Sequence, residues 1–423
     1  MGRKAERGVV GQGVLEGLRR VLVPLVAGAA ETKRGLLQWV HAQGLEALDE
    51  LFRDEAAALA GAKGKHQQGR THHHWGFAEA ELAFGGRRVR VKRPRVRERD
   101  GREAPLPSLE AFRHEDPLAE RVVTQLLLGV STRGYGRSLE SPPPRPTRGA
   151  SKSAASRRLV AATRGKLAAE LARRLDEVEL IGLLLDGIEI GERTLVAALG
   201  IAVGGEKVPL GLWQGSTENA TVCTALLQDL LERGLRIDAK ILCVVDGGKG
   251  LRKALGQVLG DDAVIQRCQV HKLRNVLDQL PEAQRTYVRR TMQEAYRSER
   301  SDLARKRLLA LAAWLVRQGE DQAAASLREG LDETLTVVKL KLPKTLRRSL
   351  ATTNAIENLL GHVRRVTRNV KRWKGDMARR WTWLAITDAH SRFRRLKGYR
   401  DLPLLRSALD ALTAHIDGAE KAA

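Results

Sequence analysis

"IGLLLDGIEIGERTLVAALGIAVGGEKVPLGLWQG", residues 181–215, decides the fold. Its three apolar runs, separated by Gly, Glu-Arg and Gly-Gly-Glu-Lys, read as an antiparallel meander. Working outward, STENATVCTALLQDLLERGL (216–235) is an amphipathic helix with a Ser/Thr start and a Gly stop. KILCVVDGG (240–248) is then a buried strand of the parallel type, KGLRKALGQVLG (249–260) a helix, AVIQRC (263–268) a strand and QVHKLRNVLDQL (269–280) a helix.

Three strands, helix, strand, helix, strand, helix is the order of the ribonuclease H-like α/β fold, a mixed five-stranded sheet with helices. Two carboxylates stand out against it. Asp186 interrupts the apolar run IGLLL and Asp246 ends the apolar run ILCVV. A charge in such a place costs free energy unless something binds it. In this fold the first and fourth strands are neighbours, so the two aspartates would converge and a divalent cation would relieve their repulsion. The plainer reading is that each ends its strand at a turn, since both precede Gly.

A two-metal site for phosphoryl transfer needs a third oxygen ligand. Glu357 lies inside the apolar run of ATTNAIENLL (351–360), on a helix after the sheet, where such a ligand would come from. Locally, Asn354 followed by Glu357 also fits a variant capping box, with Asn354 as the cap and Glu357 reaching back to a backbone N–H. The long interval between Asp246 and Glu357 is filled by residues 281–345, helical throughout, which read as an all-helical insertion.

Composition names the kind of partner. The 423 residues suffice for two or three domains, and 74 Lys and Arg against 50 Asp and Glu leave a formal charge of +24, which points to a polyanion. No apolar stretch reaches the roughly 20 residues needed to span a bilayer. VLVPLVAGAA (21–30) is too short, carries Pro24 and follows helical spacing, so it is not read as a signal peptide. The three cysteines, Cys223, Cys243 and Cys268, make no disulfide framework, consistent with a reducing cytoplasm. VVDGGKGL lacks the order of an ATP-binding loop, so no nucleotide cofactor is expected.

The N-terminal half reads as DNA-facing. Helical spacing over 11–60 predicts a bundle or dimerising segment, followed by a Gly-rich loop bearing His72 to His74, which is not read as a metal site. AELAFGGRRVRVKRPRVRERDG predicts a hairpin turning at Gly85-Gly86, with Val89, Val91 and Val96 alternating with basic residues. Residues 87–99 hold eight basic side chains and one acid, and Arg87, Arg88, Arg90, Lys92, Arg93 and Arg95 are candidate phosphate contacts. A solvated or partner-facing strand is the alternative. LAERVVTQLLLGVSTRGYGRSLE predicts a helix, a turn and the start of a second helix. After the proline run 142–146, SKSAASRRLVAATRGKLAAELARRLDEV starts another helix at a Ser cap, with Lys152, Arg157 and Arg158 in its first turns. That layout suggests a helix-turn-helix, although small Ser/Ala faces also pack in bundles. After Glu357, residues 362–400 carry thirteen Lys or Arg and two acids. Arg364, Arg365, Arg368, Lys371 and Arg372 are candidate phosphate contacts, while Trp373, Trp381 and Trp383 suit core packing or base stacking.

LLLDGIEI, the meander to LGLWQGSTENA, VVDGGKGL, QRCQVHKLRNV and TTNAIENLLGHVRRVTR, with GVSTR and GASKSAASR upstream, resemble the Mutator-type DDE transposases of bacterial insertion sequences over roughly residues 85–395. The resemblance implies that Asp186, Asp246 and Glu357 are the catalytic, metal-binding triad, and that Cys268 and His271 are the family's Cys-x-x-His signature. His271 then braces the site or bonds near the scissile phosphate. It is otherwise a satisfied core histidine, while Cys268 packs and Asn354 supports the site. Zinc on Cys268 and His271 would need two more ligands, and no second pair of comparable spacing is visible.

The resemblance further implies Mg²⁺ (two ions, with Mn²⁺ able to substitute), binding of double-stranded DNA at terminal inverted repeats and at the target, a homodimer, and a cytoplasmic, nucleoid-associated location. The alternatives are a domesticated, non-catalytic DNA-binding protein, against which the intact triad argues, and a resolvase-type nuclease of the same fold. The expected organisation is a helical region at 1–60, a basic hairpin at 61–110, and a helix-turn-helix-like region at 111–175. The core's first part follows at 176–280, the helical insertion at 281–345, the core's second part at 346–400, and a tail at 401–423.

Overall fold

The computed structural model describes residues 33–65, 69–114, 117–139, 142, 145–215 and 220–420. The helical spacing expected over 11–32, the apolar run 21–30, Ser216 to Asn219 and part of the proline run lie outside the described residues. The chain divides into two units, Met1–Ala162 and Thr163–Ala423.

In the first unit α1 (Lys33–Ala60) packs on a hairpin of β1 (His72–Phe84) and β2 (Arg87–Glu98). The hairpin turns where expected, because Gly85 (φ 57°) and Gly86 (φ 75°) both adopt the left-handed conformation that tight hairpins need. Period-two alternation sinks Val89 and Val91 into a core with Leu45, Phe52 and Leu82. Two short strands, β3 (Glu103–Ala104) and β4 (Thr147–Arg148), pair with β2.

Two expectations change here. His72 to His74 are not a loop: they begin β1 and pair with Glu98, Arg97 and Val96, because the cross-strand ladder extends the hairpin past its apolar part. After α2 (Pro107–His114) and α3 (Pro117–Leu127), the second helix expected beyond GVSTR is a single 3-10 turn, Tyr135–Ser138. Gly134 and Gly136 disfavour a longer helix there. The next helix, α4 (Lys152–Leu171), begins only after that turn and β4, so the tight connection of a helix-turn-helix does not join α3 to α4. Ser151 caps α4 as read: its hydroxyl accepts the Ala154 N–H and its carbonyl the Ala155 N–H.

The second unit is built on β5 (Leu180–Ile190), β6 (Arg193–Ala202), β7 (Lys207–Gly215), β8 (Ile241–Val245) and β9 (Ala263–Arg267), with α5 (Ala220–Glu232), α6 (Lys249–Val258) and α7 (Gln269–Asp278) between and after them. The sheet order is β7-β6-β5-β8-β9, antiparallel through the meander and parallel from β5 to β9. One face, including Leu183, Leu185, Cys243 and Val245, packs on α5 and α6.

α8 (Glu282–Arg297), α9 (Ser301–Arg317), α10 (Asp321–Arg328), α11 (Leu331–Thr334), α12 (Thr336–Lys339) and α13 (Lys344–Leu350) follow, with a core of their own that takes in Val276 and Leu277 of α7. α14 (Asn354–Thr367) packs against β5, α15 (Met377–His390) against β7, and α16 (Leu402–Glu420) closes the chain. Among the described residues no helix is long and apolar enough to cross a membrane.

Candidate active site

The parallel pairing of β5 with β8 aligns Leu184 with Val244. Two residues further along stand Asp186, which does not end its strand but continues β5 opposite Ala197 of β6, and Asp246, the first residue past β8. Alternation puts them on the side of Leu184 and Val244, away from the face that packs on α5 and α6. Both are half-buried. The Asp186 carboxylate accepts the Gly187 N–H (2.9 Å), and the Asp246 carboxylate accepts the Gly248 N–H (2.8 Å). Gly247 makes the second contact possible, because its φ of 101° is open only to glycine and an added Cβ would lie 2.0 Å from Arg267 Nε.

α14 packs against β5, and its buried Ile356, Leu359, Leu360 and Val363 are not part of the core cluster that the sheet shares with α5 and α6. Glu357, one turn in, is half-buried, and its Oε1 accepts the Thr353 hydroxyl at 2.5 Å. The expected cap is corrected here. Thr353, not Asn354, is the N-cap, because its carbonyl already accepts the Ile356 and Glu357 N–H groups. Glu357 therefore does not reach back to a backbone N–H, and Asn354 is exposed as the first helical residue.

Cys268 is fully buried and connects the two halves of the site. Its N–H donates to the Val245 carbonyl (2.7 Å), next to Asp246, and its sulfur accepts the Thr353 N–H (3.5 Å). Gln269 N–H donates to the Ala351 carbonyl (3.0 Å), which adds a second tie to the same segment. His271 Nδ1 lies 3.4 Å from the Thr353 hydroxyl and 3.7 Å from Glu357 Oε1. The hydrogen bond to Cys268, then the negative charges of Cys268, Glu357 and Asp246, raise the His271 pKa to about 9 despite burial. Burial opposes ionisation of Cys268, but its hydrogen bonds to His271 and Thr353 prevail and lower its pKa.

Among the described residues, the group of three or more His, Cys, Asp or Glu side chains whose ligand-type atoms all lie within 4.8 Å of one another is Cys268, His271 and Glu357. Asp186 and Asp246 stand outside that group. As donors the three carboxylates suit Mg²⁺, a hard cation that prefers oxygen. The sulfur, nitrogen and oxygen of the tighter group suit zinc, but they are three, and the sulfur is already engaged by Thr353.

The basic residues divide. Arg364, Arg365, Arg368, Lys371 and Arg372 are exposed at and beyond the end of α14. Lys152, Arg157, Arg88 and Lys92 are exposed, whereas Arg158 donates to the Gly149 carbonyl. On β2, Arg87 is 7% exposed and Arg90 pairs with Glu79. Arg93 and Arg95 share Glu103, whose pKa falls to about 2 through its hydrogen bond to Arg95 and then that to Arg93. Trp381 and Trp383 are core residues, and Trp373 is half-buried.

Two residues of this region escape sequence reasoning. Thr353 is one of three adjacent capping-type residues, and nothing local distinguishes it. Lys272, wholly buried, donates to the Ser326 and Glu329 carbonyls at the end of α10.

The family model described as "Transposase, Mutator family" matches residues 27–395. Among curated relatives, the chain is 32% identical over 202 residues to a "Probable transposase for insertion sequence element" of Corynebacterium diphtheriae, covering 48% of this chain and 57% of that one. It is 28% identical over 207 residues to a transposase for an insertion sequence element of Rhizobium meliloti, covering 49% and 50%. It is 27% identical over 280 residues to another from Lactococcus lactis, covering 64% and 68%. The chain thus spans about half the length of the first relatives it matches.

Proposed function

The chain belongs to the Mutator family of transposases, and from that premise we propose that it cleaves DNA at the ends of an insertion sequence and joins the freed 3′ ends to target DNA. The supporting observation is the parallel register of β5 and β8, in which Asp186 and Asp246 each stand two residues beyond the paired Leu184 and Val244, with α14, the helix of Glu357, packed against β5. The proposed fold is a ribonuclease H-like core interrupted by the helical insertion between β9 and α14. The strand order 3-2-1-4-5 in the sheet supports it.

Asp186, Asp246 and Glu357 would hold Mg²⁺, which when bound supplies the charge that activates the attacking oxygen and offsets charge developing on the phosphate. In the first step water attacks the scissile phosphorus and the bond to the 3′ oxygen breaks, leaving a 3′-OH and a 5′-phosphate. In the second, that 3′-OH attacks a target phosphodiester in line; a new ester forms and the target's own 3′-OH leaves. The chain's part is to place groups. The Thr353 hydroxyl fixes the direction of Glu357. His271, charged at neutral pH, presents a cation beside the carboxylates where a phosphate would lie. Arg364, Arg365, Arg368, Lys371 and Arg372 would bind the flanking phosphates.

Recognition of terminal inverted repeats by the N-terminal unit, and a homodimer that pairs two ends, complete the proposal. The test is a labelled transposon-end duplex incubated with Mg²⁺ and either wild type or Glu357→Gln. Nicking by wild type alone is expected, and equal nicking by both would remove Glu357 from catalysis.

A further inference from the structure

α8 and α9 carry none of the proposed catalytic side chains, yet a cleft of about 530 Å³ opens between them. That volume is in the range of small-ligand sites. Tyr287 of α8 and Trp314 of α9 form an aromatic pair that joins the two helices, with ring centroids 4.8 Å apart and planes at 56°. Trp314 is partly buried against the core of the helical segment, so its position is held from beneath. Tyr287 is 52% exposed.

The rest of the rim is basic. Arg290 and Arg307 both reach the Glu294 carboxylate, at 2.9 and 3.8 Å, which orients two guanidinium groups while neutralising only one charge. Arg317 also lines the cleft and makes no ion pair among the described residues. A held aromatic surface beside surplus guanidinium groups matches the two parts of an unpaired nucleotide, a base with an open face and a phosphate.

We propose that this cleft binds an unpaired nucleotide of a DNA strand, its base stacked on the open face of Tyr287, which Trp314 braces, and its phosphate held by Arg307 and Arg317. A duplex keeps its base faces covered, so the ligand is single-stranded or frayed DNA. The inference rests on the reading of the chain as a DNA-processing enzyme and adds to it a site in the helical segment.

The full-length protein, in chelator and without metal, is titrated into a short single-stranded thymidine oligonucleotide carrying one fluorescent aminopurine. Binding should quench the fluorophore by stacking. Tyr287→Ala should weaken binding about tenfold and remove most of the quenching, while Tyr287→Phe should retain both. Arg317→Ala should weaken binding and reduce the slope of log affinity against log salt by about 0.7, the share of one single-strand phosphate. Unchanged far-ultraviolet circular dichroism excludes misfolding of these surface variants.

Unaltered affinity and quenching in both Tyr287→Ala and Arg317→Ala would overturn the proposal. So would a change of oligomeric state in Tyr287→Ala with oligonucleotide binding intact, which would assign the cleft to a second copy of the chain. The nicking assay reports on catalysis separately: an inactive protein whose quenching still depends on Tyr287 leaves the cleft assigned.

Discussion

Glu357 takes its place from one hydroxyl. The Thr353 hydroxyl donates to its carboxylate at 2.5 Å, and Thr353 in turn is tied through its N–H to Cys268. Thr353→Val preserves shape and removes only the hydroxyl, so, with Glu357 in its proposed role as a metal ligand, transposon-end nicking should fall about 10- to 100-fold. Duplex affinity in a gel-shift assay should be unchanged. His271 offers a second test. Its pKa is raised to about 9 from the ordinary 6.5, so the stability it contributes is fully present below about pH 6.5 and is lost as pH rises through about 9. Urea denaturation of the metal-free protein across that window should show the decline, and His271→Ala should flatten it. The carboxylates were legible in the sequence because each breaks an apolar run. Thr353 was not, because Thr352, Thr353 and Asn354 are all capping types and only the folded backbone selects among them.

At the scale of elements, the site depends on how β8 ends beside a β5 that runs on to Ile190. β8 stops at Val245, and the chain turns through Gly247 so that Asp246 can accept the Gly248 N–H. Gly247→Ala places a Cβ 2.0 Å from Arg267 Nε at a φ of 101°. It should cost about 1–3 kcal/mol, read as a lower denaturation midpoint, and should reduce nicking further than stability alone explains. The order of strands and helices from residue 180 to 280 followed from periodicity, since each element carries its own apolar pattern. The start of a second helix read just after GVSTR did not form as an α-helix. Gly134 and Gly136 limit helix there to one 3-10 turn, and β4 is a strand only because β2 offers it an edge.

For the whole molecule, the formal charge of +24 favours a polyanionic partner, and the proposed DNA substrate would be held largely through its phosphates. The joint substitution of Arg364, Arg365 and Arg368 by Ala should lower duplex affinity for any sequence alike. Measured by anisotropy over a range of salt, it should reduce the log–log slope by about 3, close to one unit per phosphate released. Charge alone did not show which arginines are available. On β2, Arg93 and Arg95 share Glu103, which lies only a few residues along the chain but meets them across a strand pair. By itself the sequence determined the type and order of the elements from residue 180 to 280, the hairpin turn and which acids interrupt apolar runs, because these arise from local periodicity, glycine conformation and the cost of an acid in an apolar run. Only the tertiary structure decided that Cys268 links the end of β8 to Thr353, that Thr353 directs Glu357, and that Tyr287 meets Trp314. Apart from Thr353 and Glu357, one helical turn apart, those contacts join residues distant in sequence, and no local pattern encodes which side chains the packing of helices on a sheet will bring together.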